Sequence, residues 1–182
     1  NFYKHIDYQF DRLEFADRSL TRDELRKEGI ELFGTDGDDK FIDWGGKVTI
    51  DAGAGDDTIR TGDSDDTLIG GSGNDDLSGG YGDDTLIGGT GNDKLDGGFG
   101  ADTYIFSKGH GQDIVYEDSD SDHRKHDIDT LIFKDVNYSE VKFRQMGNDL
   151  VLYGYHDNDS VTIKNFYKHI DYQFDRLEFA DR

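Results

Sequence analysis

The sequence predicts an all-β protein: a parallel β-solenoid with a β-rich C-terminal cap and one short N-terminal helix. Three observations lead to this prediction: a run of nine-residue repeats, an acidic composition dominated by aspartate, and a change to alternating aromatic and polar residues after the repeats. The chain has 182 residues, the size of one domain with a flanking module. Its predicted parts are an N-terminal cap at 19–33, the repeats at 34–105 and a C-terminal cap at 106–182.

The repeats are eight nonapeptides in unbroken register between residues 34 and 105. Position 6 is Asp in seven of the eight, and position 8 is apolar in all of them. Glycines at positions 1, 2 and 4 suit a turn that reaches positive φ, and positions 7–9 suit a short strand with one inward side chain. Two nonapeptides therefore form one coil, and the coils are expected to stack in parallel as a right-handed β-roll.

Stacking places position 6 of each repeat over position 6 of the repeat two further on. The result is two aspartate ladders, with Asp39, Asp57, Asp75 and Asp93 in the first and Asp66, Asp84 and Asp102 in the second. Carboxylates stacked about 4.8 Å apart repel one another unless a cation lies between them. Calcium fits because it takes six to eight oxygens with flexible geometry, whereas magnesium demands an octahedron and zinc prefers His or Cys.

The pairs of successive aspartates predict about five full calcium sites, with partial sites at the two ends. A sixth site is predicted between Asp93 and Asp113, because residues 108–113 imitate another turn of the repeat. The second nonapeptide departs from the pattern, since Val48 occupies position 6 and Lys47 precedes it. No site is expected beside Val48, where our hypothesis is that the Lys47 ammonium replaces the cation; the alternative is that Lys47 is simply solvated.

The repeat resembles that of the RTX (repeats-in-toxin) exoproteins, G-G-x-G-x-D-x-U-x with U a large apolar residue. Residues 70–78 (GGSGNDDLS) and 79–87 (GGYGDDTLI) match every position, and residues 109–117 and 148–166 are similar to segments that follow RTX blocks. The resemblance implies that the carbonyls at positions 2 and 4 also bind calcium. These belong to Gly53, Gly55, Gly71, Gly73, Gly80, Gly82, Gly89, Gly91, Gly98 and Gly100.

The flanks predict further elements. The C-terminal cap is expected to contain strands near 113–117, 129–134, 140–145, 149–154, 160–166 and 172–179, and a capping box at 21–24 predicts the helix over about 22–28. In the even-numbered repeats, position 7 is threonine and position 9 is mostly isoleucine. These positions are expected to form an outward threonine row beside an isoleucine row on one sheet. This face is expected to lie under the flanking module; a partner protein or ice are the other candidates.

Residues 118–129 begin like a calcium loop of the EF-hand type, but His123 stands where that loop needs glycine and Asp129 where it needs glutamate. A solvated loop is therefore preferred over a calcium site here. Zinc held by His123 and His126 is a weaker alternative.

A second repeat is an identity: residues 1–18 recur letter for letter at 165–182. This indicates either a tandem array, in which 1–18 is the tail of a preceding unit, or a deliberate duplication. Of the two, the array is preferred.

The composition excludes several functions. The net charge of −21 argues against a nucleic-acid partner, no apolar run is long enough to span a bilayer, and the absence of Cys excludes disulfides and thiol catalysis. No catalytic motif is present, so the chain is not expected to be an enzyme.

The favoured function is a calcium-binding module of a secreted bacterial toxin or adhesin-like exoprotein, which folds on meeting extracellular calcium. The resemblance implies export by a type I system. The alternatives are a tandem stalk that contacts neighbouring units or a host surface, and an accessory secretion domain of an RTX protease or lipase.

Overall fold

A computed structural model describes residues 12–14, 19–21, 27, 29–116, 128–168 and 174–181 of the chain. This part contains a 3-10 helix at Tyr138–Glu140 and seventeen strands. The strands are β1 (Arg12–Glu14), β2 (Ser19–Thr21), β3 (Ile30–Thr35), β4 (Lys40–Trp44), β5 (Val48–Ala54), β6 (Thr58–Thr61), β7 (Thr67–Ser72), β8 (Asp76–Tyr81), β9 (Thr85–Thr90), β10 (Lys94–Phe99), β11 (Thr103–Phe106), β12 (Gln112–Tyr116), β13 (Thr130–Phe133), β14 (Lys142–Met146), β15 (Asp149–Tyr153), β16 (Ser160–Ile163) and β17 (Arg176–Phe179).

Strands β3 to β17 form the two sheets of a parallel β-solenoid, as predicted, and β1 and β2 form a separate antiparallel pair. Sheet 1 has the order β17-β13-β11-β9-β7-β5-β3, and sheet 2 has the order β14-β15-β16-β12-β10-β8-β6-β4. Each strand of the repeats pairs in parallel with the strand two further along the chain, and Ile50, Leu68 and Leu86 stack in register. Position 6 of each repeat, immediately before its strand, is therefore brought over its counterpart in the next coil.

The core of the solenoid is the column of position 8 side chains between the two sheets. Seven of them are completely buried, from Ile50 and Ile59 through Leu68, Leu77, Leu86 and Leu95 to Tyr104. Each short strand contributes one such side chain. Fully burying a side chain of this size contributes about 1.5–3 kcal/mol, so this column is the main apolar contribution of the repeats.

The predicted strands of the C-terminal cap are present, at 112–116, 130–133, 142–146, 149–153, 160–163 and 176–179. They extend the solenoid: β12 and β16 continue sheet 2 in parallel, and β13 and β17 continue sheet 1. Only β14 and β15 are added antiparallel, at the end of sheet 2. A stack of Phe106, Phe133 and Phe179, with centroids 5.2 and 5.3 Å apart, fills the interior there.

The outward face of sheet 1 carries the predicted threonine row. Thr49, Thr67, Thr85 and Thr103 are neighbours in register, and Thr130 of β13 extends their row. All five are half-buried. Cover of this face by the flanking module stays a prediction.

The predicted helix at 22–28, apart from Lys27, lies outside the described residues, as does most of the loop at 118–129 with His123 and His126. Within the ranges given above, no helix is long and apolar enough to cross a membrane.

The turns use positive φ at positions 2 and 4 of the repeat. Of the twelve such positions between residues 53 and 100, eleven adopt it: ten are glycines, and the other is Ser64, which has φ of 101°. A residue with a Cβ is strained in this region of conformational space, at a cost of about 1–3 kcal/mol.

Replacing Ser64 by glycine is therefore expected to stabilise the folded protein by about 1 kcal/mol, because it removes this strain. The matched control is Ser72→Gly, at an exposed position 3 without positive φ, which should be neutral or destabilising. Chemical denaturation in saturating calcium measures both. Equal effects of the two substitutions would contradict the assignment of strain to Ser64.

Candidate metal centre

The position 6 aspartates connect successive coils through one carboxylate oxygen. In the first ladder, Oδ1 of Asp57, Asp75 and Asp93 accepts the main-chain N–H of the position 6 residue one coil earlier, at 2.7–2.9 Å. In the second ladder, Oδ1 of Asp66, Asp84 and Asp102 does the same at 2.7–2.8 Å. Each carboxylate is thereby held between two coils.

In five of these six residues, the other carboxylate oxygen is buried without a hydrogen-bond partner. This holds for Oδ2 of Asp57, Asp66, Asp75, Asp84 and Asp93. The five residues are at most 2% exposed. A buried carboxylate oxygen without a donor is costly, so these atoms fit a cation that would complete their coordination.

Burial also changes the acidity of the ladder. The pKa of Asp66 and of Asp75 is raised to about 6, mainly because the carboxylates are buried. Burial raises the pKa of Asp84 and Asp93 to about 7 and that of Asp102 to about 8. The pKa of Asp57 is raised for the same reason. Each ladder is therefore a row of carboxylates whose charged form needs a compensating positive charge.

The glycines at positions 2 and 4 of the turn bring main-chain carbonyls close to the next coil. The ten predicted carbonyl ligands are among these glycines, and all ten have φ between 98° and 138°. A Cβ on Gly91 would overlap the carbonyl oxygen of Gly73, and one on Gly100 that of Gly82. Ten carbonyls thus lie in the turns that carry the aspartates, although their binding of calcium stays a prediction.

The expectation that position 1 also needs positive φ is wrong. Gly70, Gly79, Gly88 and Gly97 are not among the positive-φ glycines. A Cβ at each would instead overlap Oδ2 of the aspartate five residues later in the same repeat. In these four repeats the glycine at position 1 makes room for this carboxylate oxygen, whereas the third and fourth repeats carry Ala52 and Thr61 there.

Gly79→Ala is expected to lower the stability of the folded protein by about 1–3 kcal/mol, because the added methyl group collides with Oδ2 of Asp84. The control is Gly37→Ala, where an added Cβ meets nothing within 4 Å and φ is not positive. This control should change stability by less than about 0.5 kcal/mol. Denaturation of both variants measures the difference, and equal losses would contradict the role given to position 1.

At the two ends of the first ladder, Oδ2 of Asp39 and of Asp113 each has a hydrogen-bond partner in the protein. Oδ2 of Asp39 accepts the main-chain N–H and the hydroxyl of Thr35, at 2.6 and 2.8 Å. Asp113 continues the ladder, since its Oδ1 accepts the N–H of Asp93 at 3.0 Å, but its Oδ2 lies 2.6 Å from Nδ1 of His110. The imidazole is buried, and its Nε2 lies 2.7 Å from the hydroxyl of Tyr155. Oδ2 of Asp113 therefore has a protein partner, unlike Oδ2 of Asp93.

The second ladder begins at the irregular repeat and extends beyond the nonapeptides. The main-chain N–H of Val48 donates to Oδ1 of Asp66, so the ladder needs no aspartate at position 48. Lys47 is exposed, and its charge lowers the pKa of Asp66 less than burial raises it. At the other end, Oδ1 of Asp129 accepts the N–H of Asp102 at 2.8 Å. The sequence had indicated Asp129 only as part of the 118–129 loop.

Position 5 forms two further ladders that the sequence analysis missed. Oδ1 of Asp56 accepts the N–H of Asn74, and Oδ1 of Asn74 accepts that of Asn92, at 2.8 and 3.0 Å. On the other edge, Oδ1 of Asp83 accepts the N–H of Ala101 at 2.9 Å. The sequence signal for these ladders was the recurrence of Asp or Asn at position 5. Either residue can form the ladder, because the contact needs only a side-chain oxygen that accepts a main-chain N–H.

Two models of known protein families match parts of the chain. The family model for the RTX calcium-binding nonapeptide repeat matches residues 49–77 and 78–113. The chain contains a block of RTX calcium-binding repeats. The model for a haemolysin-type calcium binding protein related domain matches residues 149–181, which include β15, β16 and β17 of the solenoid's C-terminal extension.

Among solved structures, the chain is similar to the extracellular lipase LipA from Serratia marcescens. The two are 18% identical, with a TM-score of 0.31, and the match covers 72% of this chain and 37% of the lipase chain. The chain therefore spans little more than a third of that protein. No curated protein sequence matches the chain.

Proposed function

We propose that the RTX block binds about five calcium ions between its coils and folds when it binds them. The observation that carries the proposal is the set of five buried Oδ2 atoms without a partner, at Asp57, Asp66, Asp75, Asp84 and Asp93. Three of these atoms belong to the first ladder and two to the second. Calcium suits them because it combines carboxylates with main-chain carbonyls, and the turns supply both kinds of oxygen.

Each proposed site joins two coils of the roll. The carboxylates come from successive members of one ladder, and the additional ligands are the carbonyls of the position 2 and position 4 glycines. A cation there offsets the repulsion between buried carboxylates and supplies the positive charge that their burial requires. In a calcium-poor compartment the ladders destabilise the roll, and at the millimolar calcium typical of extracellular modules they stabilise it.

We assign this module to a secreted bacterial exoprotein of the toxin or adhesin type, with a binding and structural role rather than a catalytic one. RTX repeats are typical of secreted bacterial proteins, which supports an extracellular location. A tandem stalk is the second candidate, and the exact duplication of residues 1–18 at 165–182 favours it. Small-angle scattering of a two-unit chain tests the stalk, which requires a rigid rod in calcium. The role of accessory domain in an RTX protease or lipase stays a prediction.

A calcium titration of the metal-free chain tests the proposed function. Far-UV circular dichroism follows the strands, and the fluorescence of Trp44, the single tryptophan, gives a second signal. We expect a cooperative gain of β structure with calcium and little change with magnesium at the same concentration. A chain that is fully folded in chelator and indifferent to calcium would overturn the proposal.

A further inference from the structure

The turn at residues 108–113 continues the first ladder beyond the nonapeptides. Its glycines at positions 2 and 4 both have positive φ, of 88° and 98°. The carbonyl at its position 3 accepts the N–H of Gly91 at 2.9 Å, and the same contact joins the preceding coils on this edge. Oδ1 of Asp113 accepts the N–H of Asp93 at 3.0 Å. The main chain therefore forms one more turn of the repeat, with Asp113 at its position 6.

Position 3 of this turn differs from the earlier ones because its side chain is buried. The position 3 residues of the two preceding coils on this edge, Ser72 and Thr90, are exposed. His110 is only 3% exposed and lies among aromatic rings, with the ring centroids of Phe106 and Tyr155 at 5.2 and 5.7 Å. The imidazole therefore lies inside the roll instead of at its surface.

Both ring nitrogens of His110 have a buried partner. Nδ1 lies 2.6 Å from Oδ2 of Asp113, and Nε2 lies 2.7 Å from the hydroxyl of Tyr155. A neutral imidazole satisfies both contacts when Nδ1–H donates to the carboxylate and the tyrosine hydroxyl donates to Nε2. Oδ2 of Asp93, one coil earlier, is buried without such a partner. The imidazole thus supplies at Asp113 the partner that Oδ2 of Asp93 lacks.

A second carboxylate completes this turn from the C-terminal side. Asp159 directly precedes β16, is 6% exposed, and accepts the N–H of Gly109 at 2.6 Å and that of Gly111 at 3.2 Å. In the earlier turns of this edge, the N–H at position 4 donates to a carbonyl of the next coil. Asp159 therefore provides at Gly111 the acceptor that a further turn of the repeat would provide.

We propose that His110 takes the place of a calcium ion at the end of the first ladder, so that Asp113 stays free of metal in the calcium-loaded protein. The imidazole then joins the last turn of the ladder to the loop between β15 and β16, which contains Tyr155, through protein contacts alone. The sixth site that the sequence predicts between Asp93 and Asp113 is not expected to form. The inference rests on the proposed function, because it states where the row of calcium sites ends.

Asparagine substitutions at two successive members of the ladder test this role. Asp93→Asn and Asp113→Asn each keep an oxygen for the main-chain N–H that the aspartate now accepts, at 2.9 and 3.0 Å. Isothermal titration calorimetry of the full chain counts the bound ions. We expect Asp93→Asn to bind about one ion fewer and to raise the calcium midpoint about tenfold. Asp113→Asn should keep the number of ions and a midpoint within about twofold of the parent, because its amide can donate to Nδ1 of the other imidazole tautomer.

Proton–nitrogen NMR of the parent chain gives a second test. A buried Nδ1–H that donates to a carboxylate exchanges slowly with water and gives an observable signal, which the His110→Gln variant assigns by its loss. We expect this signal to persist in saturating calcium. Tyr155→Phe should speed the exchange of this hydrogen with water, because the imidazole loses its second hydrogen-bond partner but keeps the neighbouring ring.

The two tests separate this inference from the proposed function. Equal losses of ions in Asp93→Asn and Asp113→Asn, with a parent chain that binds calcium, would overturn the inference and leave the proposed function intact. Disappearance of the His110 signal when calcium saturates the parent chain would do the same. A parent chain that binds no calcium would overturn the proposed function and this inference with it. Circular dichroism in calcium checks that each variant keeps the β signal of the parent, and the NMR signal is followed in the parent itself.

Discussion

Replacing Asp84 by asparagine will weaken the response to calcium and, in calcium-free solution near pH 8, stabilise the folded chain. Asparagine keeps an oxygen for the N–H of Asp66, which Asp84 now binds at 2.7 Å. It removes the charged Oδ2 that has no protein partner. Because Asp84 lies in the middle of the second ladder, both proposed sites on that edge lose a carboxylate. We expect the calcium midpoint to rise about tenfold or more and about two fewer ions to bind.

Without calcium the sign of the effect reverses. Burial raises the pKa of Asp84 to about 7, so near pH 8 folding must bury an ionised carboxylate. An amide at the same place leaves an unpaired donor, but this costs less than the charge. We expect the variant to be about 1–3 kcal/mol more stable than the parent chain under these conditions.

The neighbouring residue provides the control for this experiment. Oδ1 of Asp83 accepts the N–H of Ala101, and Asn74 makes the same contact with Asn92 in the opposite turns. Asp83→Asn should therefore leave both the calcium midpoint and the metal-free stability almost unchanged. Isothermal titration calorimetry and denaturation in calcium-stripped buffer measure the two effects. A destabilisation by Asp84→Asn both with and without calcium would identify Asp84 as a purely structural residue and contradict the account.

The calcium-stripped protein is expected to be more stable near pH 5 than near pH 8. The ordinary pKa of an aspartate is 3.8, whereas burial raises the pKa of Asp84 and Asp93 to about 7 and that of Asp102 to about 8. The folded chain therefore binds more protons than the unfolded chain between about pH 4 and pH 8. The stabilisation is fully present below the unfolded pKa and is lost as the pH rises through the folded values.

The expected change is large because several groups titrate together. One pKa unit corresponds to about 1.4 kcal/mol, so the shifts in the two ladders add up to an effect on the order of 5 kcal/mol or more. Calcium reverses the trend, since protons compete with the metal for the same carboxylates. Thermal melts followed by circular dichroism, at both pH values with and without calcium, measure this. Equal stability of the stripped protein at the two pH values would contradict the pKa shifts.

The periodicity predicted the solenoid because it records both the coil length and the inward side chain. Position 8 is apolar in every repeat, and seven of these side chains are completely buried between the sheets. The ladders also follow from the period, since a coil of two repeats brings Asp66, Asp84 and Asp102 into line. Because similar units stack directly on one another, few other arrangements of the repeats are possible. The sequence was therefore sufficient to predict the coils and the two ladders.

The ends of the ladders could not be predicted, because they depend on contacts between residues far apart in sequence. Tyr155 reaches His110 across 45 residues, and His110 in turn engages Asp113. Asp129 joins the second ladder although 27 residues separate it from Asp102. No period marks either Tyr155 or Asp129. The role of the position 1 glycine was also missed, because a close approach to Oδ2 and a positive φ both select glycine.

Crystallographic location of calcium by anomalous scattering tests the central claim most directly. Crystals of the chain grown in calcium should show anomalous peaks between the coils, within coordination distance of Oδ2 of Asp57, Asp66, Asp75, Asp84 and Asp93. Peaks are not expected beside Val48. Well-ordered crystals in saturating calcium that show those five carboxylates without metal would contradict the account.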